Sequence, residues 1–336
     1  MYMVLQWRDY LLQTIFKTHT SDKNARLGEH SSGFFVIFRN HFQTFTPIIM
    51  KYKFIVFIAL LLQLSQTFAQ QTQKGLLWEI SGNGLSQPSY VFGTIHMICP
   101  DKFFVPKGTE EKLKVAQQIF LEIDMDDPQM IMKTQKLMMS SDGKKLKDIM
   151  NEGDYKVFSE YFKKNVGMDV TMFGPAKPML YMSVAMMKST GCSMPKSYEE
   201  YFVKEAKTEK KEVLGLETIE DQMAVMDKAP IEQQVSWLME IVNESEKGNE
   251  TYNQMIDLYI KQDVEALTKM ISEKMVGMKG MEEELLDKRN QNWIPVIEQN
   301  IKQKSTFFAV GAGHLGGEKG VLKLLKQKGY TLKSLE

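Results

Sequence analysis

Residues 307–332 read FFAVGAGHLGGEKGVLKLLKQKGYTL. The apolar run Phe307–Gly311 is short and does not alternate, the pattern of a strand buried on both faces. A glycine-rich turn follows. Val321, Leu322, Leu324 and Leu325 then fall on one helical face, and Gly329 supplies a C-terminal stop before a second strand at Tyr330–Leu332. Working outward, the same short apolar runs recur at Leu76–Ile80 and Tyr90–Ile95, joined by a Gly/Asn/Ser-rich turn, and at Gln118–Ile123 and Glu212–Leu216. Helical spacing covers 110–117, 129–164, 176–189, 198–208, 218–227, 231–246, 251–275 and 282–302. The expected fold is α/β: a mixed central sheet with a long helical region inserted between N- and C-terminal strands.

Composition narrows the functional classes. The 336 residues carry 42 Lys+Arg against 42 Asp+Glu, and 43% are hydrophobic. A nucleic-acid binder with a basic face, a disordered chain and a multi-span membrane protein each need a compositional bias that is missing here. The expected partner is a peptide or small-molecule substrate.

The segment from Met50 has the three parts of a secretory signal peptide. Lys51 and Lys53 precede the apolar run FIVFIALLL at 54–62, and Thr67-Phe68-Ala69 offers a small-x-small cleavage site. The run is too short to cross a hydrocarbon layer about 30 Å thick at about 1.5 Å per residue. Cleavage after Ala69 is therefore expected, giving a periplasmic or secreted chain with no stable membrane anchor. Gln70, not a cysteine, follows the site, so lipidation is not indicated. Residues 1–49 show no sustained apolar period and read as a non-native upstream extension, which leaves 70–336 as the mature domain. The alternative is that 1–49 form a real domain and 54–62 a buried strand or helix.

Losing residues 1–69 removes seven of the 42 basic and three of the 42 acidic residues, leaving 35 and 39. Only two histidines, His96 and His314, and one arginine, Arg289, then remain. Both histidines sit in the pattern Gly-x-x-His, at Gly93–His96 and Gly311–His314, each just past an expected strand. Ligand sites in α/β folds form at the carboxyl ends of strands, and glycine lets the backbone come close to a ligand. Glu122 ends one expected strand and Glu217 another. A carboxylate in such a place must be paired, hydrated or metal-bound. Two neutral imidazoles and a carboxylate can hold a divalent cation (Mn, Co or Zn) with an open position, so His96, Glu122 and His314 are the candidate ligands and Glu217 the candidate general base. Arg289, followed by Asn290, can clamp an oxyanion through its planar fork, or can pair structurally with Glu217 or Glu122. The bland alternative for the histidines is a pair of hydrogen-bonded core or turn residues.

Cys99 and Cys192 are the only cysteines. In an exported chain an isolated pair favours a disulfide, here worth about 4–5 kcal/mol by loop closure, over two free thiols. Of the 25 methionines, Met1, Met3 and Met50 precede the cleavage site, and most of the other 22 suit pliable helix packing. Met275, Met278 and Met281 have a spacing that would suit a soft ion, although Gly277 and Gly280 favour a turn.

The motifs VFGTIHMICPDKF, QIFLEID, GLETIEDQ, the Arg289–Asn290 pair and FFAVGAGHLGGEKGVLKLLKQKGY together resemble the TraB/GumN family, which includes the Tiki proteases. The resemblance runs from about residue 75 to the C-terminus. It implies an α/β fold shared with the erythromycin-esterase and ChaN-like superfamily, and, by analogy with Tiki members, a metal-dependent protease using Mn or Co. In that light His96 and His314 match the family's two GxxH histidines, Glu122 the acidic position after the first, Glu217 the glutamate of the GLE motif, and Arg289 and Asn290 the RN pair. The expected activity is an exported metal-dependent hydrolase, a peptidase. The alternatives are a non-catalytic binding or regulatory protein capturing a peptide or haem-like ligand, and metal-free hydrolysis with a histidine as general base.

Overall fold

A computed structural model describes residues 74–192, 194–243, 245–274 and 281–335. The upstream extension, the signal segment at 50–69 and two of the three clustered methionines, Met275 and Met278, lie outside the described residues. Met281 packs half-buried against the core.

Strands β1 (Leu77–Gly82) and β2 (Ser89–Thr94) form an antiparallel hairpin, and helix α1 (Thr109–Val115) leads to β3 (Gln118–Leu121). The helical region follows with α2 (Met130–Met138), α3 (Leu146–Ile149), α4 (Glu152–Val166), α5 (Pro178–Ser189) and α6 (Tyr198–Thr208). It resumes beyond β4 (Val213–Gly215) with α7 (Ile219–Asp227), α8 (Ile231–Asn243), α9 (Ser245–Ile260), α10 (Val264–Lys274) and α11 (Lys288–Ile301). The chain closes with β5 (Thr306–Gly311), α12 (Val321–Gln327) and β6 (Tyr330–Ser334).

These strands form one mixed sheet, as the sequence leads one to expect, in the order β4–β3–β5–β2–β1–β6. The four strands β4, β3, β5 and β2 run parallel, while β1 pairs antiparallel with both β2 and the edge strand β6. Every residue of β2, β3 and β5 is buried, so both faces of these strands are covered, which explains their short apolar runs. The edge strand β6 alternates at its start because one face is wet.

Two expected helices break. The stretch 129–164 divides into α2, α3 and α4, because Gly143 adopts a left-handed φ of 73° and Met139 bridges to Ala176. The stretch 251–275 divides at Gln262, which takes a φ of 56°. Strand β6 also runs longer than its apolar residues indicate, since Ser334 pairs with Trp78 of β1.

Candidate active site

Register sets the site. Thr94 of β2 lies opposite Gly311 of β5, and Leu121 of β3 opposite both Ala309 of β5 and Gly215 of β4. The carboxyl ends of all four parallel strands therefore stop at one edge of the sheet. His96, Glu122, Glu217 and His314 each follow within three residues of their own strand's end. This is the crevice where ligands bind open α/β sheets.

Glycines permit the close approach, in a way the sequence does not foretell. A Cβ on Gly93 would lie 2.9 Å from Leu315 Cδ1 and 3.1 Å from Ala312 Cα. The first GxxH glycine thus makes room for the second GxxH turn, not for a ligand. At Gly215 a Cβ would meet the Asp124 nitrogen at 2.7 Å. With that contact open, the ladder of β3 and β4 continues past the strands: the Glu217 N–H donates to the Glu122 carbonyl at 3.0 Å. The two carboxylates consequently emerge side by side.

Between them lies Arg289, on the first turn of α11 and 5% exposed. Its Nη2 donates to Glu122 Oε2 at 2.7 Å and to Glu217 Oε1 at 2.6 Å, and its Nε donates to Glu217 Oε1 at 2.9 Å. Nη1 donates to the Leu285 carbonyl at 2.9 Å and to His314 Nε2 at 3.2 Å. The carbonyl belongs to a π-helical turn, Glu283–Asp287, that leads into α11. All five N–H groups are engaged by the protein, so the geometry matches the structural-pairing reading of Arg289, with both glutamates and not one. No donor remains for a substrate oxyanion. The guanidinium also stacks 4.9 Å from the Trp293 ring, whose indole N–H donates to Glu217 Oε2 at 3.1 Å.

The two histidines look equivalent in sequence and are held differently. His314 is fully enclosed, 4.4 Å between ring centroids from Trp293. Nε2 accepts from Arg289, so Nδ1 carries the proton and donates to Asn290 Oδ1 at 2.6 Å. Burial, then the Arg289 charge, pushes this imidazole down to about 3. It is neutral at physiological pH, and its 3.8 Å approach to Glu122 Oε1 is not an ion pair. His96 instead places Nδ1 2.7 Å from Glu199 Oε1. Burial pulls that ring down, but the Glu199 charge and hydrogen bond outweigh it, and the net shift is upward. The Glu122 carboxylate acts on both rings, and His96 acts on His314, which puts them in one electrostatic neighbourhood. Glu122 itself is held well below the usual carboxylate range: burial opposes this, and Arg289, the two histidines and the Gly311 N–H overcome it.

The donor chemistry fits a divalent ion only in part. Each imidazole turns Nδ1 onto a protein acceptor, as metal-bound histidines do, which leaves His96 Nε2 as a ligand atom; His314 Nε2 already accepts from Arg289 Nη1 at 3.2 Å and must give up that bond to take an ion. Glu122 is different: Oε1 takes the Gly311 N–H at 2.8 Å, and Oε2 takes Arg289 and Gln222. Among the described residues, no three His, Cys, Asp or Glu side chains gather as a ready ligand set. Asn290 serves His314 and, through Nδ2, the Lys319 carbonyl at 3.0 Å.

Sequence reasoning missed Glu199, Gln222 and the role of Trp293. Gln222 bridges the carboxylates, donating from Nε2 to Glu122 at 3.1 Å and to Glu217 at 2.9 Å. Glu199 had a usable signal. It lies three residues before Phe202 and seven before Ala206, on the buried stripe of α6, where a charge needs a partner.

Comparison with known proteins gives the chain a family. The model of the TraB/PrgY/gumN family matches residues 76–334. "Metalloprotease TIKI2" of Danio rerio is 20% identical over 327 residues, covering 80% of this chain and 62% of the relative. The Xenopus tropicalis "Metalloprotease TIKI2" is 22% identical, covering 79% and 60%, and the Homo sapiens "Metalloprotease TIKI1" is 22% identical, covering 78% and 62%. The chain thus spans about three-fifths of the length of these relatives. No solved structure matches it. With one family model covering the whole sheet and every strand-end residue of the site, the chain belongs to the TraB/PrgY/gumN family.

Proposed function

We propose that this protein is an exported hydrolase that cleaves peptide bonds with the help of a divalent cation. Two facts support the reading: relatives across most of the chain are named metalloproteases, and the two GxxH imidazoles stand at adjoining strand ends with Nδ1 turned away onto protein acceptors. The cation, Mn, Co or Zn, would be held by Nε2 of His96 and, once its bond from Arg289 Nη1 is exchanged, by Nε2 of His314, with Glu122 the nearest carboxylate to His314, and would supply Lewis acidity to a substrate carbonyl. Arg289, Asn290 and Gln222 keep the carboxylates and His314 in place, and Glu217 is the second acid of the site. Export follows from the signal segment at 50–69, with cleavage after Ala69 as the form expected in a periplasmic or extracellular space.

A second reading, metal-free hydrolysis with His96 taking a proton at Nε2, draws support from the commitment of both glutamates to Arg289. Incubation with a peptide library separates the two. Cleavage that a chelator abolishes and Mn, Co or Zn restores supports the first; cleavage that resists the chelator supports the second. Tight capture of a peptide without turnover would replace both with a binding role.

A further inference from the structure

We propose that Glu199 is a positioning residue: it fixes the His96 ring with the proton on Nδ1 and Nε2 bare, just as Asn290 holds the Nδ1 proton of His314. The inference rests on the proposed function only for what the bare nitrogen then does.

The carboxylate is itself immobilised. Oε1 accepts from Thr94 Oγ1 at 2.6 Å as well as meeting His96 Nδ1 at 2.7 Å, and Oε2 accepts from Ser197 Oγ at 2.7 Å. Ser197 is the N-cap of α6, its Oγ accepting from the Glu200 N–H at 3.3 Å. An ionised carboxylate has no proton to give, so a hydrogen bond to it makes Nδ1 the donor. Each Glu199 oxygen already accepts from a hydroxyl, at 2.6 and 2.7 Å, so the carboxylate faces His96 as an acceptor.

The segments that bring the pair together are cross-linked close to it. Ile98 and Lys196 exchange both backbone hydrogen bonds, at 3.0 and 2.8 Å, and Cys99 is disulfide-bonded to Cys192. These ties hold the first turn of α6 against the loop that carries His96. The imidazole and its carboxylate come from positions 103 residues apart and meet at 2.7 Å. Positioning of this kind matters for a ligand atom, because loss of an outer-shell acceptor typically weakens metal affinity about 10–100-fold.

The test is the ring-nitrogen NMR spectrum of the metal-free full chain, histidine-labelled with 15N, at alkaline pH where the imidazoles are neutral. His96 and His314 are assigned by signal loss in His96→Ala and His314→Ala. The wild type is expected to show both rings protonated at Nδ1. Glu199→Ala should move His96 alone toward the Nε2–H form, and Glu199→Gln, which keeps an acceptor oxygen, should restore Nδ1–H. A wild-type His96 protonated at Nε2, or a His96 signal unmoved in Glu199→Ala, overturns the proposal. If Glu199→Ala does not fold, the wild-type tautomer and the Gln variant still decide it. Titration with Mn alone is read separately: affinity should fall about 10–100-fold in Glu199→Ala, and unchanged affinity would also count against positioning. A wild type that binds no Mn, Co or Zn but shows both Nδ1–H rings would defeat the metal reading and leave this inference standing.

Discussion

Arg289 is the one arginine after residue 69, and its scarcity is what makes it visible in the sequence. Its partners are not visible, because spacing along a chain does not say whether a guanidinium faces a ligand or two glutamates from other strands. Since it neutralises Glu122 and Glu217 together, Arg289→Met should destabilise the protein by about 3–5 kcal/mol, the usual cost of orphaning buried charge. Arg289→Lys should recover less than half of that in chemical denaturation, because one ammonium cannot reproduce five planar donors. The histidines predict a pH profile with two separate limbs. His314, depressed when folded, contributes stability that is present above its unfolded value of about 6.5 and is lost as pH falls toward about 3. His96, raised when folded, contributes stability that is present below about 6.5 and lost as pH rises through its folded value. Glu122 and Glu199, both depressed, add a loss below about 4.3. Denaturation midpoints should therefore begin to drop below about pH 6.5, before the carboxylates titrate, and His314→Gln should remove that first limb.

At the scale of elements, the parallel strands were the most legible part. Phe307–Gly311 and Tyr90–Ile95 lie in short apolar runs because both faces are buried, and this signal does not depend on distant residues. Helix ends were less legible, since Gln262 breaks a stretch whose local propensity is helical. The GxxH glycines show the limit more sharply. The motif suggests room for a ligand at both, but Gly93 makes room for Ala312 and Leu315 of the other motif. Gly93→Ala should cost about 1–3 kcal/mol by overpacking. That exceeds the roughly 0.5–1 kcal/mol that alanine gains over glycine in a strand. Thermal unfolding should show the loss, and the His314 ring signals should shift because its turn is the one displaced. Glu199 stayed hidden for a related reason: in YEEYF it looks like an ordinary acidic first turn, and only its place on the buried stripe marks it.

Across the whole molecule, the site depends on segments far apart in the chain being held at one edge of the sheet. The Cys99–Cys192 bridge, spanning 93 positions, ties the His96 loop to the helical region. Replacing both cysteines by serine should lower stability by about 4–5 kcal/mol on the chain-entropy estimate. The same change should weaken metal binding, because it loosens the loop that carries His96. The most direct measurement is the metal content of the purified chain after loading with Mn, Co or Zn, by element-resolved mass spectrometry, for the wild type and for His96→Ala and His314→Ala separately. If the two imidazoles share one ion, the wild type retains a divalent metal and each single variant loses it. Retention of the full metal content by either variant would mean that the two histidines do not serve a common centre.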